Sequence, residues 1–430
     1  MALTDHQEIK LKDSLNILQI SKRLLIKGSA GVGKTFMVDT LIGILSSYFN
    51  SKQIVYCSAP THKAVSVLKG KVKNYNNLQF ITTHAALKLK RQIGRDGSVN
   101  FVPNFNPKYP PLKGVKLFVI DECSMIDSVM LEYIEQYANE NGTIVIFIGD
   151  DKQLNPVGES DLPVFLANYP SVELTEIVRQ KGGNPIIDLS RNLASISLKE
   201  EKRNDVGGYI YTYDEEKVVE TLAAINGTDE LKYLAYTNAE VDKINKKVRQ
   251  KIYGNPNKIE EGETLVFNAP YGESYFTNQE ILVEKLLVKE KEFEYISMKY
   301  PGLKQDDYEK VQLKYYSLNP VYDSLKKEFF DDIIVIHEDS EKELKRIDKL
   351  LKDKAKTADI SWIDYYSFME QFADLKYNHA ITVHKSQGST YKQAILNIRD
   401  IRINRDLQER ERLLYTGVTR ASELLILYNV

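Results

Sequence analysis

Residues 23–35 read RLLIKGSAGVGKT. Three apolar residues, Leu24, Leu25 and Ile26, run into a glycine-rich turn, and the turn gives way at once to KTFMVDTLIGILSSY, whose apolar positions recur at helical spacing. Strand, glycine loop and helix in that order let backbone N–H groups converge on an anion at the positive end of a helix. The spacing over Gly28, Ser29, Ala30, Gly31, Val32, Gly33, Lys34 and Thr35 fits G-x-x-x-x-G-K-[ST], a phosphate cradle. In that pattern Lys34 reaches the β- and γ-phosphates and Thr35 holds Mg²⁺. A glycine turn without a ligand is the bland reading, and the strand–loop–helix context argues against it.

Working outward, KLFVIDECSMID (116–127) poses a question, because an apolar strand ends in two adjacent carboxylates. A buried, unpaired carboxylate costs several kcal/mol or shifts its pKa until it is neutral. Beside a phosphate cradle the pair makes sense. Asp121 sits in the shell of the Mg²⁺, and Glu122 orients or deprotonates the attacking water. A helix-capping Asp followed by a surface Glu is the alternative. A third strand ends in IGDDKQLNP (148–156), where Gln153 is placed to contact the γ-phosphate and report its loss.

The same texture sets the fold class. Continuous apolar runs, RLLIK, QIVYCSA, KLFVID and TIVIFIGD, alternate with amphipathic segments, so the chain reads as α/β with a parallel sheet covered on both faces. Gly and Pro interrupt it at 91–111, as an inserted hairpin or extended loop does. The alternation returns at 231–245 and 378–398, and ELLILYNV closes the chain as a last strand. Between about 259 and 375 the runs look antiparallel, and SEKELKRIDKLLKDK follows as a charged helix with Leu344, Ile347, Leu350 and Leu351 on one face.

Composition bounds the function classes. At 430 residues and 27 % charged, with no run of 18 apolar residues, the chain reads as a multidomain globular protein without a membrane span. MALTDHQEIK lacks the apolar core of a signal peptide, and the two cysteines, Cys57 and Cys123, lie in apolar strands. Reduced buried thiols and a cytoplasmic location, the host cytoplasm for a phage protein, are the expectation; the Lys-, Asn- and Ile-rich composition is compatible with a phage. Charge is uneven. Residues 52–116 hold twelve Lys or Arg against one acid, Asp96, so this window is +11 and the remainder −13. Phe80, Phe101, Phe105 and Tyr109 interleave with those cations, the composition of a surface that takes a polyanion with bases to stack. A solvated charged face is the alternative on charge alone.

In order, GSAGVGKT, APTHKAV, VIDECSM, IGDDKQLNPVG, LTEIVRQ, AITVHKSQGST and LLYTGVTRAS resemble the motifs of a superfamily 1 helicase, and within it the RecD-like branch (superfamily 1B) with its small phage helicases. The resemblance runs nearly end to end. It implies two RecA-like domains, at 1–173 and at 174–258 plus 376–430, with ATP and Mg²⁺ between them and single-stranded DNA across their top. It also implies a wedge hairpin at 88–112 and an SH3-like β insertion with a helix at 259–375. Carried over, Gln7 reads adenine, and Arg179 and Arg420 are arginine fingers from the second domain, so that the site is complete only when the cleft closes. Pro60, Thr61, His62, Lys63 and His84 grip DNA from the first domain, and Thr382, His384 and Lys385 from the second. Gln387 and Gly388 link the groove to the nucleotide. Phe101 and Phe105 are both candidates for stacking at the fork, with packing under the hairpin as the competing role. Where this branch more often has Asn-Gly, the chain has Asn278-Gln279, which leaves the local turn in question.

The activity implied is ATP-dependent unwinding of DNA with 5′→3′ translocation. Its partners are single-stranded DNA and single/double-strand junctions, with single-stranded DNA-binding or replication proteins beside them and a monomer as the working unit. An RNA remodeller, a slow nucleotide-gated DNA-binding protein and a small-substrate P-loop kinase are the rivals. Intact Glu122, Arg179 and Arg420 speak against the switch, and the basic window and the C-terminal motifs speak against the kinase.

Overall fold

The computed structural model describes residues 3–430 except 51, 74, 76, 105–109, 177–182, 194–198, 226–229, 273, 300–305, 324–327 and 331, and except the side chains of 321–323 and 328–330. The first half supplies β1 (Arg23–Gly28), β2 (Ile54–Ala59), β3 (Leu78–Thr82), β4 (Leu89–Ile93), β5 (Val99–Pro103), β6 (Val115–Ile120), β7 (Ile144–Gly149) and β8 (Ser171–Leu174). All but β4 and β5 form one sheet in the order β3-β2-β6-β7-β1-β8, every pair parallel. Alternate residues along these strands feed two separate cores. Leu24, Ile26, Val119 and Ile148 pack with Met37 and Leu41 of the helix Lys34–Ser47. Leu25, Phe118, Ile120 and Phe147 pack on the other face with Met130 and Ile134 of the helix Ser128–Asn141. That two-sided burial is why the runs read as continuously apolar.

The second half supplies β9 (Lys202–Asn204), β10 (Gly207–Thr212), β11 (Leu231–Ala235), an insertion holding β12 (Thr264–Phe267), β13 (Glu280–Leu282), β14 (Leu286–Met298), β15 (Asp307–Leu318), β16 (Val321–Asp323), β17 (Glu328–Phe330), β18 (Ile333–Ile336) and β19 (Leu375–Tyr377), and then β20 (Ala380–Thr382), β21 (Tyr391–Asn397) and β22 (Ala421–Tyr428). The second sheet runs β20-β11-β21-β22-β10-β9, parallel except where β9 meets β10. It too is buried on both faces, with Leu234, Leu396, Leu425 and Leu427 on one side and Tyr233, Ile395 and Tyr428 on the other. The fold is therefore α/β, with two parallel RecA-like sheets and a β insertion in the second.

In the insertion, β14 and β15 form a long antiparallel ribbon, joined by β18. The helices Glu341–Lys356 and Trp362–Met369 cover its apolar side through Ile347, Leu351, Tyr365 and Phe368. Ile347 and Leu351 are buried, as the helical spacing predicted. The return strand β19 bonds to β12, so residues 375–377 complete the insertion's small sheet and the expected boundary at 375 falls within this strand. The Asn278-Gln279 turn forms without glycine. Asn278 takes the left-handed conformation (φ 64°), and the Gln279 side chain accepts from the Phe276 N–H at 3.0 Å.

Candidate functional site

Strands β6, β7 and β1 lie side by side in the first sheet, so their carboxyl ends gather three loops at one edge, where α/β sheets bind ligands. The loop after β1 is the glycine cradle. Gly31 and Gly33 take positive φ, 84° and 77°. Gly28 passes so close to β8 that a Cβ would lie 2.5 Å from the Leu174 carbonyl oxygen. Lys34 opens the following helix and arches over the loop, its Nζ donating to the carbonyls of Gly28 at 2.5 Å and Ser29 at 3.1 Å. Thr35 is the next residue of that helix.

Asp121 and Glu122 follow β6. Burial raises the Asp121 carboxyl, the Glu122 carboxylate beside it raises it further, and the Lys34 ammonium pulls it back. Glu122 stands in the left-handed region (φ 52°, ψ 42°), where a non-glycine residue stores about 1–3 kcal/mol of strain. The Asp121 Oδ1 accepts from its N–H at 2.9 Å and holds it there. Thr35 and Asp121 are hard oxygen ligands of the kind a divalent cation takes, and a cation held by them would offset the burial of Asp121.

Past β7, Asp150 is buried, which pushes its carboxyl up. Its Oδ2 accepts a 2.5 Å hydrogen bond from Tyr415, a residue of the second half, whose hydroxyl also accepts from the Ala30 N–H of the cradle at 3.4 Å. Nearby, Arg412 donates to the carbonyls of Asp151 and Gln153, each at 2.6 Å, and Gln387 donates to Leu154 at 3.4 Å. The loop carrying Gln153 is thus held from the second sheet by three side chains. A cleft lies between the halves, bordered by Ala30 and Gly31 on one side and by Thr390 and Thr419 on the other.

Gln7 is fully buried under the cradle. Its Nε2 donates to the carbonyls of Val32 (3.3 Å) and Gly33 (3.5 Å), and its Oε1 accepts from Thr4. Arg420 is buried in the second half, where its guanidinium binds the carbonyls of Thr416 (3.0 Å) and Ser389 (2.9 Å) and, more loosely, Ser386. It joins the helix Leu407–Val418 to the segment 384–389. Arg179 lies outside the described residues, as do Phe105 and Tyr109.

A second set of predicted residues gathers between the halves and the insertion. Pro60 and Thr61 follow β2, and Thr61 caps the helix His62–Lys69 by accepting from the Ala64 N–H. Gly388 (φ 72°) packs on that helix; a Cβ there would lie 3.1 Å from the Ala64 Cβ. So Gly388 sits at a contact between the halves. Thr382 ends β20 and accepts from the Lys385 N–H. Lys385 Nζ donates to Asn268 of the insertion, and burial with Lys376 nearby pulls its pKa down. His384 Nε2 lies 3.4 Å from a Glu409 carboxylate oxygen.

His84, whose pKa is lowered by burial, meets Phe101 edge-on at 5.1 Å. Phe101 sits on β5, opposite Arg91 of β4, and is 46 % exposed, so it is not packed under the hairpin. The hairpin is braced from the insertion. Gly97 at its turn lies against the Trp362 ring, Tyr366 Oη donates to the Gly97 carbonyl at 3.1 Å, and Arg91 stacks over Tyr366 while pairing with Glu370.

Sequence reading missed Tyr415, Asp150 and Arg412. Tyr415 lies inside the quoted LLYTGVTRAS, and GDD repeats the pattern of acids ending a buried strand, so the signal was there.

Comparison with known proteins agrees with this arrangement. An AAA domain model matches residues 13–215, and a UvrD-like helicase C-terminal domain model matches residues 377–428. The ATP-dependent DNA helicase dda of Enterobacteria phage T4 is 26 % identical over 92 % of each chain. An uncharacterized protein of Acanthamoeba polyphaga mimivirus is 28 % identical over 93 % of each. The RecBCD enzyme subunit RecD of Buchnera aphidicola subsp. Schizaphis graminum is 24 % identical over 95 % of this chain and 71 % of its own. The glycine cradle, the two acid-tipped strands and the C-terminal segment folded onto one cleft are thus found in a chain that is similar, nearly end to end, to Dda and RecD, DNA helicase proteins of the RecD-like kind.

Proposed function

We propose that this protein is an ATP-dependent DNA helicase that moves 5′→3′ along single-stranded DNA and splits the duplex ahead of it. The observation that carries the reading is the cleft in which the cradle's Ala30 and Gly31 face Thr390 and Thr419 of the second half. ATP bound there would touch both sheets, so its hydrolysis would be felt as a change in their spacing. In this reading the N–H groups of Gly28–Thr35 and the Lys34 ammonium neutralise phosphate charge. Thr35 and Asp121 would hold Mg²⁺, which supplies charge neutralisation on the transferring phosphoryl group. Glu122 orients and deprotonates water, Gln153 senses the γ-phosphate, and Gln7 reads the base. Arg179 and Arg420 are the cations supplied from the second half.

Arg420 must exchange carbonyls for phosphate to act as a finger. Two of those carbonyls, Ser386 and Ser389, belong to the segment next to His384 and Lys385, which supports direct coupling between nucleotide and strand. Pro60, Thr61, His62, Lys63 and His84 would grip backbone from one half, and Thr382, His384 and Lys385 from the other, by contacts that carry no sequence information. The braced hairpin with exposed Phe101 is the wedge. The protein works as a monomer on strand/duplex junctions in the cytoplasm; no described helix is long and apolar enough to cross a membrane.

The test is ATP-driven strand separation on matched duplexes bearing a 5′ or a 3′ single-stranded tail. Opening of the 5′-tailed duplex alone is expected. Opening of the 3′-tailed duplex alone would reverse the polarity. Opening of neither, with DNA-stimulated hydrolysis intact, would leave a translocase without a wedge.

A further inference from the structure

The groove between the halves has a wall made by the insertion. Phe276, in the turn before β13, lies face to face on His62, ring centroids 3.8 Å apart and planes 20° from parallel. Glu280, which opens β13, sets its Oε1 3.6 Å from the Lys63 Nζ and 3.8 Å from the Lys232 Nζ. Lys232 is 1 % exposed, and its Nζ also donates to the Asn378 carbonyl at 2.7 Å. An ammonium so deeply placed needs an anion close by. The left-handed Asn278 fixes the turn that presents the ring and the carboxylate together. A cleft adjoins them, bordered by Lys63, Lys232, Lys376 and Lys385, with Glu280 and Asp242 as its acids.

An aromatic face on an imidazole and an anion between two ammoniums are the contacts a nucleotide makes with a protein. We infer that Phe276 and Glu280 are a displaceable stand-in for a nucleic-acid strand: the ring holds the place of a base on His62, and the carboxylate holds the place of a phosphate between Lys63 and Lys232. A single strand then binds this part of the groove by exchange, its base displacing Phe276 and its phosphate displacing Glu280. The inference rests on the strand-binding reading above, and it adds Lys232, Phe276 and Glu280 to the site. Exchange has a physical signature. In the resting groove Glu280 neutralises Lys63 and Lys232, so the cation that the entering phosphate gives up is offset by one that the displaced carboxylate takes up. Without the carboxylate that offset is lost, net release of cations from the strand rises, and binding becomes steeper in salt.

Fluorescence anisotropy of a labelled oligothymidylate, titrated with the full chain over a salt series, tests this. Glu280→Gln is expected to bind roughly three- to tenfold more tightly at low salt and to show a steeper salt dependence. Phe276→Ala, which frees His62, is expected to associate faster. Glu292→Gln removes the same charge from the ribbon, where Glu292 pairs with Lys310 in the open, and is expected to behave as wild type. Unchanged or weaker binding by Glu280→Gln, or an equal gain in Glu292→Gln, would overturn the exchange. Weaker binding by Phe276→Ala would make the ring a fixed platform and overturn it as well. If neither wild type nor Glu280→Gln bound the strand, the strand-binding reading itself would fall; binding by wild type with no change in the variant refutes only the exchange.

Discussion

At the nucleotide cleft, eight consecutive residues, Gly28 to Thr35, deliver the loop, its cation and its hydroxyl, and the acids follow from neighbouring strands of the same sheet. At the strand groove, His62 and Lys63 meet Phe276 and Glu280 from a different structural unit, and Lys385 meets Asn268. The cleft is built largely from backbone whose shape one sheet fixes. The groove is built from side chains carried by three units, with cations held by acids and amides of the insertion. In the proposed reading this difference divides labour: a rigid cradle where charge would be met the same way each cycle, and an exchangeable surface along which a strand would slide. Backbone N–H groups cannot turn away, whereas a lysine or a ring can change partners.

The cleft's side of this comparison carries the largest expected effects. Lys34→Ala should lower ATP turnover roughly 10²–10³-fold, measured as steady-state phosphate release, while strand affinity stays within a few-fold. Among the described residues, Lys34 hydrogen-bonds to carbonyls of its own loop, and no bond from it reaches the groove. A parallel collapse of strand binding would break the division between the two regions. Glu122→Gln should cost roughly 10²-fold or more in turnover with nucleotide affinity kept, since the amide retains shape and loses the base. Normal turnover would remove Glu122 as the group that activates water.

The same difference governs what could be read from sequence. The cradle, the acids Asp121 and Glu122, and Gln153 are legible because each is a local pattern at a strand end, and parallel packing brings those ends together. The two-sided cores follow from the continuous apolar runs. Phe276 and Glu280 carry no local signal: in YFTNQEILVEK they alternate like any exposed strand residue. Lys232 did carry one, because a charge inside the apolar run LKYLAY must find a partner once buried. That partner lies on another unit, and only the tertiary fold supplies it. The expected boundary at 375 falls inside the return strand Leu375–Tyr377, because three residues have no periodicity to read.

The hairpin sharpens the comparison, since it belongs to the first half in sequence and is braced by the insertion through contact. Tyr366 and Glu370 hold it through Gly97 and Arg91, and neither lies on the hairpin itself. Replacing both by Ala should reduce strand separation roughly three- to tenfold and leave DNA-stimulated ATP hydrolysis near the wild-type rate. The wedge would still be present but no longer held at the fork. An equal fall in both activities would mean that the brace supports the groove rather than the wedge.

The smallest effect should come from the group that touches both halves. Tyr415→Phe keeps the ring and removes the hydroxyl shared by Asp150 and the Ala30 N–H. Asp150 is buried with a raised pKa, and the Tyr415 hydrogen bond acts to lower it, so that bond favours the charged carboxylate. Losing it should cost roughly 1–3 kcal/mol where Asp150 is ionised and less where it is protonated. The sign follows from proton binding. A carboxyl with its folded pKa above its unfolded value makes the folded state the better proton binder, so its contribution to stability falls as pH rises through that interval. The variant widens the interval, and the gap in melting temperature between wild type and Tyr415→Phe should therefore grow as pH rises above the ordinary carboxylate range. A gap independent of pH would mean that the hydroxyl merely packs. A growing gap, together with a few-fold loss of DNA stimulation, would make this hydrogen bond a point where the rigid cradle registers the position of the half that holds the strand.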